Sequence, residues 1–238
     1  MLHGAGGSPR DNFPFLDELA ETFTVVAPSL PGVGSTPLGD KPLDAVTIAD
    51  QVAVLLDDLD IETAAVCGYS MGTTIATHLA ASHPDRVSAV ALCAGFVKPR
   101  PSMLVGLELW DGLLADGMPE TVGRFILSAA FRPETLDQRG PKWIAVAARE
   151  IGRTLPMGTR AHLDLIRRVD STAALASTEQ PMLVIVPEHD GLVHPGHSDD
   201  LLAIRPDATR IGLQAGHAVW DEAPAEWLAA LTGFFSER

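Results

Sequence analysis

A serine, an aspartate and a histidine, each set just past a short apolar run, carry the chemistry that this sequence offers. Ser70 is the centre of Gly68-Tyr69-Ser70-Met71-Gly72, Asp190 follows the apolar run 182–186, and His217 follows the run 209–213. A serine hydroxyl is a poor nucleophile at neutral pH and needs a base that takes its proton during attack and returns one to the leaving group. Histidine does this best near neutrality, provided a carboxylate holds it in one tautomer and stabilises the transient imidazolium. Ser70, His217 and Asp190 supply these three parts, in the chain order Ser, Asp, His.

Placing three such groups together requires elements that end at one edge. Residues 63–67 before the pentapeptide are an apolar run of strand length, and Ile75, Ala76, Leu79 and Ala80 after it recur at helical spacing. Ser70 is therefore expected on a sharp turn between a strand and a helix, with Gly68 and Gly72 clearing the close approach of the two. Further strands are expected at 23–27, rich in β-branched residues, and at 87–93, 182–186 and 209–213. Helices are expected from Phe13, Leu16 and Ala20, capped by Asp11 or Asn12, from the Ile48, Val52, Leu55, Leu56 and Leu59 stripe opening at Thr47, and from Trp227, Leu228, Leu231 and Phe234. Strands alternating with helices give an α/β fold, a mostly parallel sheet covered on both faces.

Residues 97–177 break this alternation: helical fragments rich in Leu, Met and Trp are punctuated by Gly112, Gly117, Pro119, Pro133, Pro141 and Pro156. They read as a helical insertion after a core strand, above the carboxyl edge where ligands of open α/β sheets sit. Tyr69 beside the serine, with Met103, Leu107, Trp110, Leu113, Phe125 and Trp143 from the insertion, is the candidate lining of an apolar substrate pocket. The glycine-rich opening His3-Gly4-Ala5-Gly6-Gly7 can turn backbone N–H groups toward an anion.

The 238 residues are 46% apolar, enough for one large core. A net charge of -14, from 31 acidic and 17 basic residues, argues against nucleic acid and against an anionic membrane surface as partners. No basic segment followed by an apolar stretch opens the chain and no apolar run has membrane-spanning length, so a cytoplasmic protein is expected. Cys67 and Cys93 lie inside expected strands and read as small core residues. His189, His194 and His197 near Asp190 and Asp199 match no closed zinc spacing, so neither metal nor cofactor is expected.

In these motifs the chain resembles the α/β-hydrolase fold family, and most of all its small esterase and lactonase-type members. The residues that carry the resemblance are His3 to Gly7, Pro31-Gly32-Val33-Gly34-Ser35, Gly68 to Gly72, Glu188-His189-Asp190 and Gly216-His217, which span nearly the whole chain. The resemblance implies a catalytic triad of Ser70, Asp190 and His217, an oxyanion hole from the backbone N–H groups of Ala5 and Met71, a hydrolase core of residues 1–96 and 178–238, and a cap of residues 97–177. An acid after the 87–93 strand serves some relatives, but Ala94, Gly95 and Phe96 offer none. Serine at the elbow argues against dehalogenases and epoxide hydrolases, and Pro31-Gly32 lacks the arginine expected of type II thioesterases.

The chain departs from the family pattern at its start, where only Met1 and Leu2 precede His3 and the family's amino-terminal strands are missing. Either the start is truncated, or the sheet begins with the 23–27 strand and the oxyanion loop is poorly anchored. The activity expected is cleavage of a small to medium, apolar carboxylic ester, lactone or thioester through an acyl-enzyme, with a small-molecule substrate as partner. A non-hydrolytic lyase, perhydrolase or cyclase on the same triad, and a catalytically weak ligand-binding protein, are the alternative readings. The sequence leaves the oligomeric state open, a dimer included.

Overall fold

The computed structural model describes residues 1–237. Its frame is a sheet of four parallel strands in the order β1-β2-β3-β4: β1 (Ala64–Tyr69), β2 (Val87–Cys93), β3 (Met182–Pro187) and β4 (Thr209–Leu213). Before β1 lie α1 (Pro9–Asn12), α2 (Leu16–Ala20) and α3 (Ala45–Asp58), and α4 (Met71–Ser82) joins β1 to β2. Between β2 and β3 run α5 (Pro101–Ala115), α6 (Pro119–Ala130), α7 (Pro133–Thr154), α8 (Thr159–Arg168) and α9 (Thr172–Ser177). α10 (Gly196–Ile204) separates β3 from β4, and α11 (Val219–Glu222) and α12 (Pro224–Ser236) close the chain.

Alternation along the strands divides the core in two. Val66, Val90, Leu92, Val184 and Val186 point to the face covered by α3 and α4, where Ile48, Val52, Ile75 and Leu79 meet them. Cys67, Tyr69, Ala91, Cys93, Leu183 and Ile185 point to the other face, against Phe13, Phe15, Trp227 and Leu231. The two cysteines are free and buried. β4 is an edge strand with exposed Thr209 and Arg210, so it needs apolar side chains on only part of its length.

Several expected elements shift. The helix expected through Phe13 splits into α1 and α2, because Ser8 and not Asp11 or Asn12 is the cap: Ser8 Oγ accepts from the Asp11 N–H, and the Asp11 carboxylate accepts from the Ser8 N–H at 3.0 Å. α3 opens two residues before Thr47, with the Asp44 carboxylate accepting the Val46 N–H at 3.0 Å, and Leu59 of the expected stripe is exposed. Gly112 lies inside α5 and breaks nothing, whereas Pro101, Pro119 and Pro133 open α5, α6 and α7, where the missing N–H has no intrahelical acceptor to lose. α7 is kinked at Gly140 (φ 75°), directly before Pro141.

Residues 23–27 form no strand. β-branched residues favour a ladder only where a neighbouring strand supplies it, and among the described residues no strand pairs with this segment: the Phe23 N–H donates to Leu19 O at 3.0 Å and the Met1 amino group to Val26 O at 2.8 Å. The expectation of a sheet that begins there, with a loosely held oxyanion loop, is therefore overturned. Leu2 forms a parallel bridge to Gly68: its N–H donates to Cys67 O at 2.8 Å and its carbonyl accepts the Tyr69 N–H at 3.0 Å. A single buried residue thus seats the loop on the outer edge of β1.

Candidate active site

The turn after β1 turns the serine out of the ladder. Ser70 has φ 51° and ψ -120°, a left-handed conformation that costs a non-glycine residue on the order of 1–3 kcal/mol and persists only when its surroundings hold it. Here the Ser70 N–H donates to Cys93 O at 2.9 Å, while its carbonyl accepts the Thr73 N–H at 2.9 Å and the Thr73 hydroxyl at 2.6 Å. The flanking glycines are dictated by contact. A β-carbon on Gly72 would lie 2.0 Å from Leu2 O, and one on Gly68 would lie 2.4 Å from Gly72 O.

From this position the Ser70 hydroxyl donates to His217 Nε2 at 3.1 Å, and His217 Nδ1–H donates to Asp190 Oδ2 at 2.7 Å. The other oxygen, Asp190 Oδ1, accepts the N–H groups of Leu192 at 2.8 Å and Val193 at 2.7 Å. The carboxylate is therefore satisfied on both oxygens and faces the imidazole with an acceptor only. The Tyr69 hydroxyl, whose pKa burial pushes well above its usual range, donates to His217 O at 2.8 Å. Three strand ends thus converge: β1 delivers the serine, β3 the aspartate and β4 the histidine.

The residues expected as anion binders lie beside them. Met71 is the first residue of α4 and its N–H has no acceptor among the described residues, as expected of a helix N-terminus. Its side chain is buried in the core, so only its amide is free to act. The Ala5 N–H likewise has no acceptor among the described residues, and Ala5 borders the same cavity as Ser70.

That cavity has a volume of about 430 Å³. Ser70, Tyr69 and His217 open onto it, and the insertion walls it with Met103, Leu107, Trp110, Phe125 and Trp143, all of them candidates from the sequence. Leu113 does not reach it and packs against the core instead. Of the histidines near Asp190, His197 Nδ1 donates to His194 O and its Nε2 accepts the Arg100 N–H, while His189 pairs with Gln214 at 3.1 Å.

Three side chains, Asn12, His3 and His162, hold the glycine-rich loop 4–7. Asn12 Oδ1 accepts the Gly4 N–H at 2.9 Å. His3 Nδ1–H donates to Gly4 O at 2.9 Å and its Nε2 accepts the Leu30 N–H at 3.0 Å, which ties the loop to the segment before Pro31. From α8, His162 Nε2–H donates to Pro31 O at 2.8 Å and its Nδ1 accepts the Gly6 N–H at 3.4 Å. Its place among Leu163 and Ile166 on the buried face of α8 was the signal available in the sequence.

Both imidazoles use one nitrogen as acceptor, so both must be neutral. Burial lowers the pKa of His162, and it lowers that of His3 from 6.5 to about 4. An unfolded chain would take up a proton on His3 below its ordinary value, whereas the folded chain resists until about 4. Stability is thus complete above about 6.5 and is lost as pH falls toward 4, by on the order of 3 kcal/mol from His3. Thermal unfolding followed across this interval is expected to show a falling Tm, with a shallower slope in His3→Asn.

Comparison with known proteins assigns the fold to a family. The profile of the alpha/beta hydrolase fold family matches residues 1–224. A pyrrolizixenacetamide deacetylase of Xenorhabdus hominickii is 27% identical over 98% of this chain and 89% of its own length. A pimeloyl-[acyl-carrier protein] methyl ester esterase of Neisseria meningitidis is 29% identical over 82% of this chain and 76% of its own. The crystal structure of the enol-lactonase from Burkholderia xenovorans LB400 superposes with a TM-score of 0.86 at 22% identity, covering 99% of this chain and 89% of that one. With five strand-end and loop motifs in register and a family match over nearly its whole length, the chain belongs to the alpha/beta hydrolase fold family.

Proposed function

We propose that the protein is a serine hydrolase that cleaves a small to medium, uncharged and largely apolar carboxylic ester, lactone or thioester through an acyl-enzyme. The single observation that carries this reading is the continuous hydrogen-bonded chain from Ser70 Oγ through His217 to Asp190, opening into an apolar cavity. Ser70 Oγ attacks the acyl carbon as its proton passes to His217 Nε2, and Asp190 stabilises the imidazolium. The amides of Ala5 and Met71 receive the oxyanion, His217 protonates the leaving group, and a water then repeats the sequence on the acyl-enzyme. In this reading helices α5 to α9 are a cap that shapes the acyl site and keeps water from it.

The charge of the lining narrows the substrate. Among the described residues the cavity is bordered by Asp11, Glu150 and Asp221 and by no lysine or arginine. Two of these acids already hold cations, Asp221 with Arg139 at 2.7 Å and Glu150 with Arg153 at 2.5 Å. A carboxylate on the acyl chain would lose hydration here without gaining a partner, which costs at least several kcal/mol when burial is complete. A panel of esters, thioesters and lactones is the direct test. A medium-chain alkanoyl ester is expected to exceed its ω-carboxylate analogue in kcat/KM by about 100-fold or more, since each ~1.4 kcal/mol is tenfold. No turnover of any member, with tight binding of the intact compounds, would refute the hydrolase.

A further inference from the structure

Among the described residues that form ion pairs, Glu222 is the one carboxylate besides Asp190 whose side chain is fully buried, and nothing in the chemistry above uses it. It sits five residues past His217, at the end of α11. Its Oε2 accepts the N–H of Gly216, the residue before the histidine, at 2.6 Å. Its Oε1 accepts the Arg132 N–H at 3.1 Å and the Thr135 hydroxyl, and Arg132 Nε lies 3.5 Å away. Arg132 and Thr135 form the junction between α6 and α7, in the insertion.

A second bond runs in parallel, the Ala218 N–H donating to Ala130 O at 2.8 Å. His217 is thus bracketed: the residue before it is held by Glu222, the residue after it by Ala130, and its own carbonyl by the Tyr69 hydroxyl. The fit leaves no slack, since a β-carbon on Gly216 would come within 2.4 Å of Ala130 O. The adjacent Asp221–Arg139 pair spans the same two segments but is partly exposed, where an ion pair contributes little. A buried, fully hydrogen-bonded carboxylate is a far stiffer link, because any displacement strands a charge. The residues just before Arg132, Ala129 to Phe131, also wall the cavity.

We infer that Glu222 is a positioning residue for the catalytic base: it locks the His217 loop to the α6–α7 junction, so that the imidazole lines up with Ser70 only while the insertion is docked. This rests on the serine-hydrolase reading, and the test separates the two. The rate of covalent labelling by a fluorophosphonate probe is measured with kcat and KM on a neutral ester, for the wild type, Glu222→Ala, Glu222→Gln and Glu222→Asp. A base displaced by about 1 Å costs about 100-fold, so labelling and kcat are expected to fall by about 10- to 100-fold in Glu222→Ala, with KM changing less than about threefold. Glu222→Gln has one oxygen for donors on two sides, so its NH₂ must meet either the Gly216 N–H or the Arg132 N–H and Thr135 hydroxyl, and it is expected to stay slow as well. Glu222→Asp keeps the charge but withdraws it by one methylene from Gly216, and is expected to stay slow.

If Glu222→Ala does not fold, Glu222→Asp decides: labelling and kcat as fast as wild type in Glu222→Asp would mean that the reach to Gly216 is not needed and would overturn the positioning role. So would labelling of Glu222→Ala within twofold of wild type. A wild-type protein that the probe does not label would instead count against the hydrolase reading itself.

Discussion

Ser70→Ala is expected to lower kcat on any substrate of this protein by about 10⁵- to 10⁶-fold and to abolish fluorophosphonate labelling, because a triad acts as a unit. The structure makes this substitution unusually clean. The Ser70 hydroxyl has one protein partner, His217 Nε2, while the strained backbone is held by Cys93 O and by Thr73, which the substitution leaves in place. Alanine also fills the space that serine fills, so stability should change by less than about 1 kcal/mol. Circular dichroism and a thermal melt identify a folded, inactive protein. Residual turnover within about tenfold of wild type would place the nucleophile elsewhere.

The second largest effect is expected of Asp190→Asn, a loss of about 10⁴-fold in kcat with the fold intact. The direction follows from which oxygen does what. Oδ1 accepts two backbone N–H groups, from Leu192 and Val193, so the amide of an asparagine must put its own oxygen there. Its NH₂ group then faces His217 Nδ1, which has to become an acceptor, and the ring proton moves to Nε2. An Nε2–H cannot receive the proton of Ser70, although it sits at the same 3.1 Å. Crystallography would find the geometry unchanged while stopped-flow acylation collapses. A kcat within tenfold of wild type would show that Asp190 is not the orienting acid.

Much of the chemistry was legible in the sequence because it sits at strand ends, where an apolar run gives way to one polar residue. Val87–Cys93 and Thr209–Leu213 coincide with their observed bounds, and Ser70, Asp190 and His217 are brought together as their spacing past β1, β3 and β4 suggests. The failures share a cause: they depend on partners distant in sequence. Residues 23–27 have strand composition without a ladder, because composition does not record whether a neighbour is present. Asn12 read as a helix cap and instead holds Gly4, and His162 was one polar residue on a buried helical face until the fold set it between Gly6 and Pro31. Glu222 is the extreme case. Nothing in its local sequence separates it from Asp221, which is in part exposed, yet its side chain is sealed from solvent by a junction some 90 residues earlier.

The parallel order of the strands has a consequence for assembly. The hydrogen bond from Ser70 to His217 closes a loop of 147 residues, and the Asp190 contact closes one of 27 inside it. Loop closures of this length are slow and come late, after the intervening strands and helices are laid down. No contiguous fragment short of Ser70 to His217 holds the three groups, and none that ends before β4 can align them. Regain of esterase activity during refolding would therefore be a clock for the last step of sheet assembly, trailing the return of helical signal, and a single reactive serine would report on the closure of the whole chain.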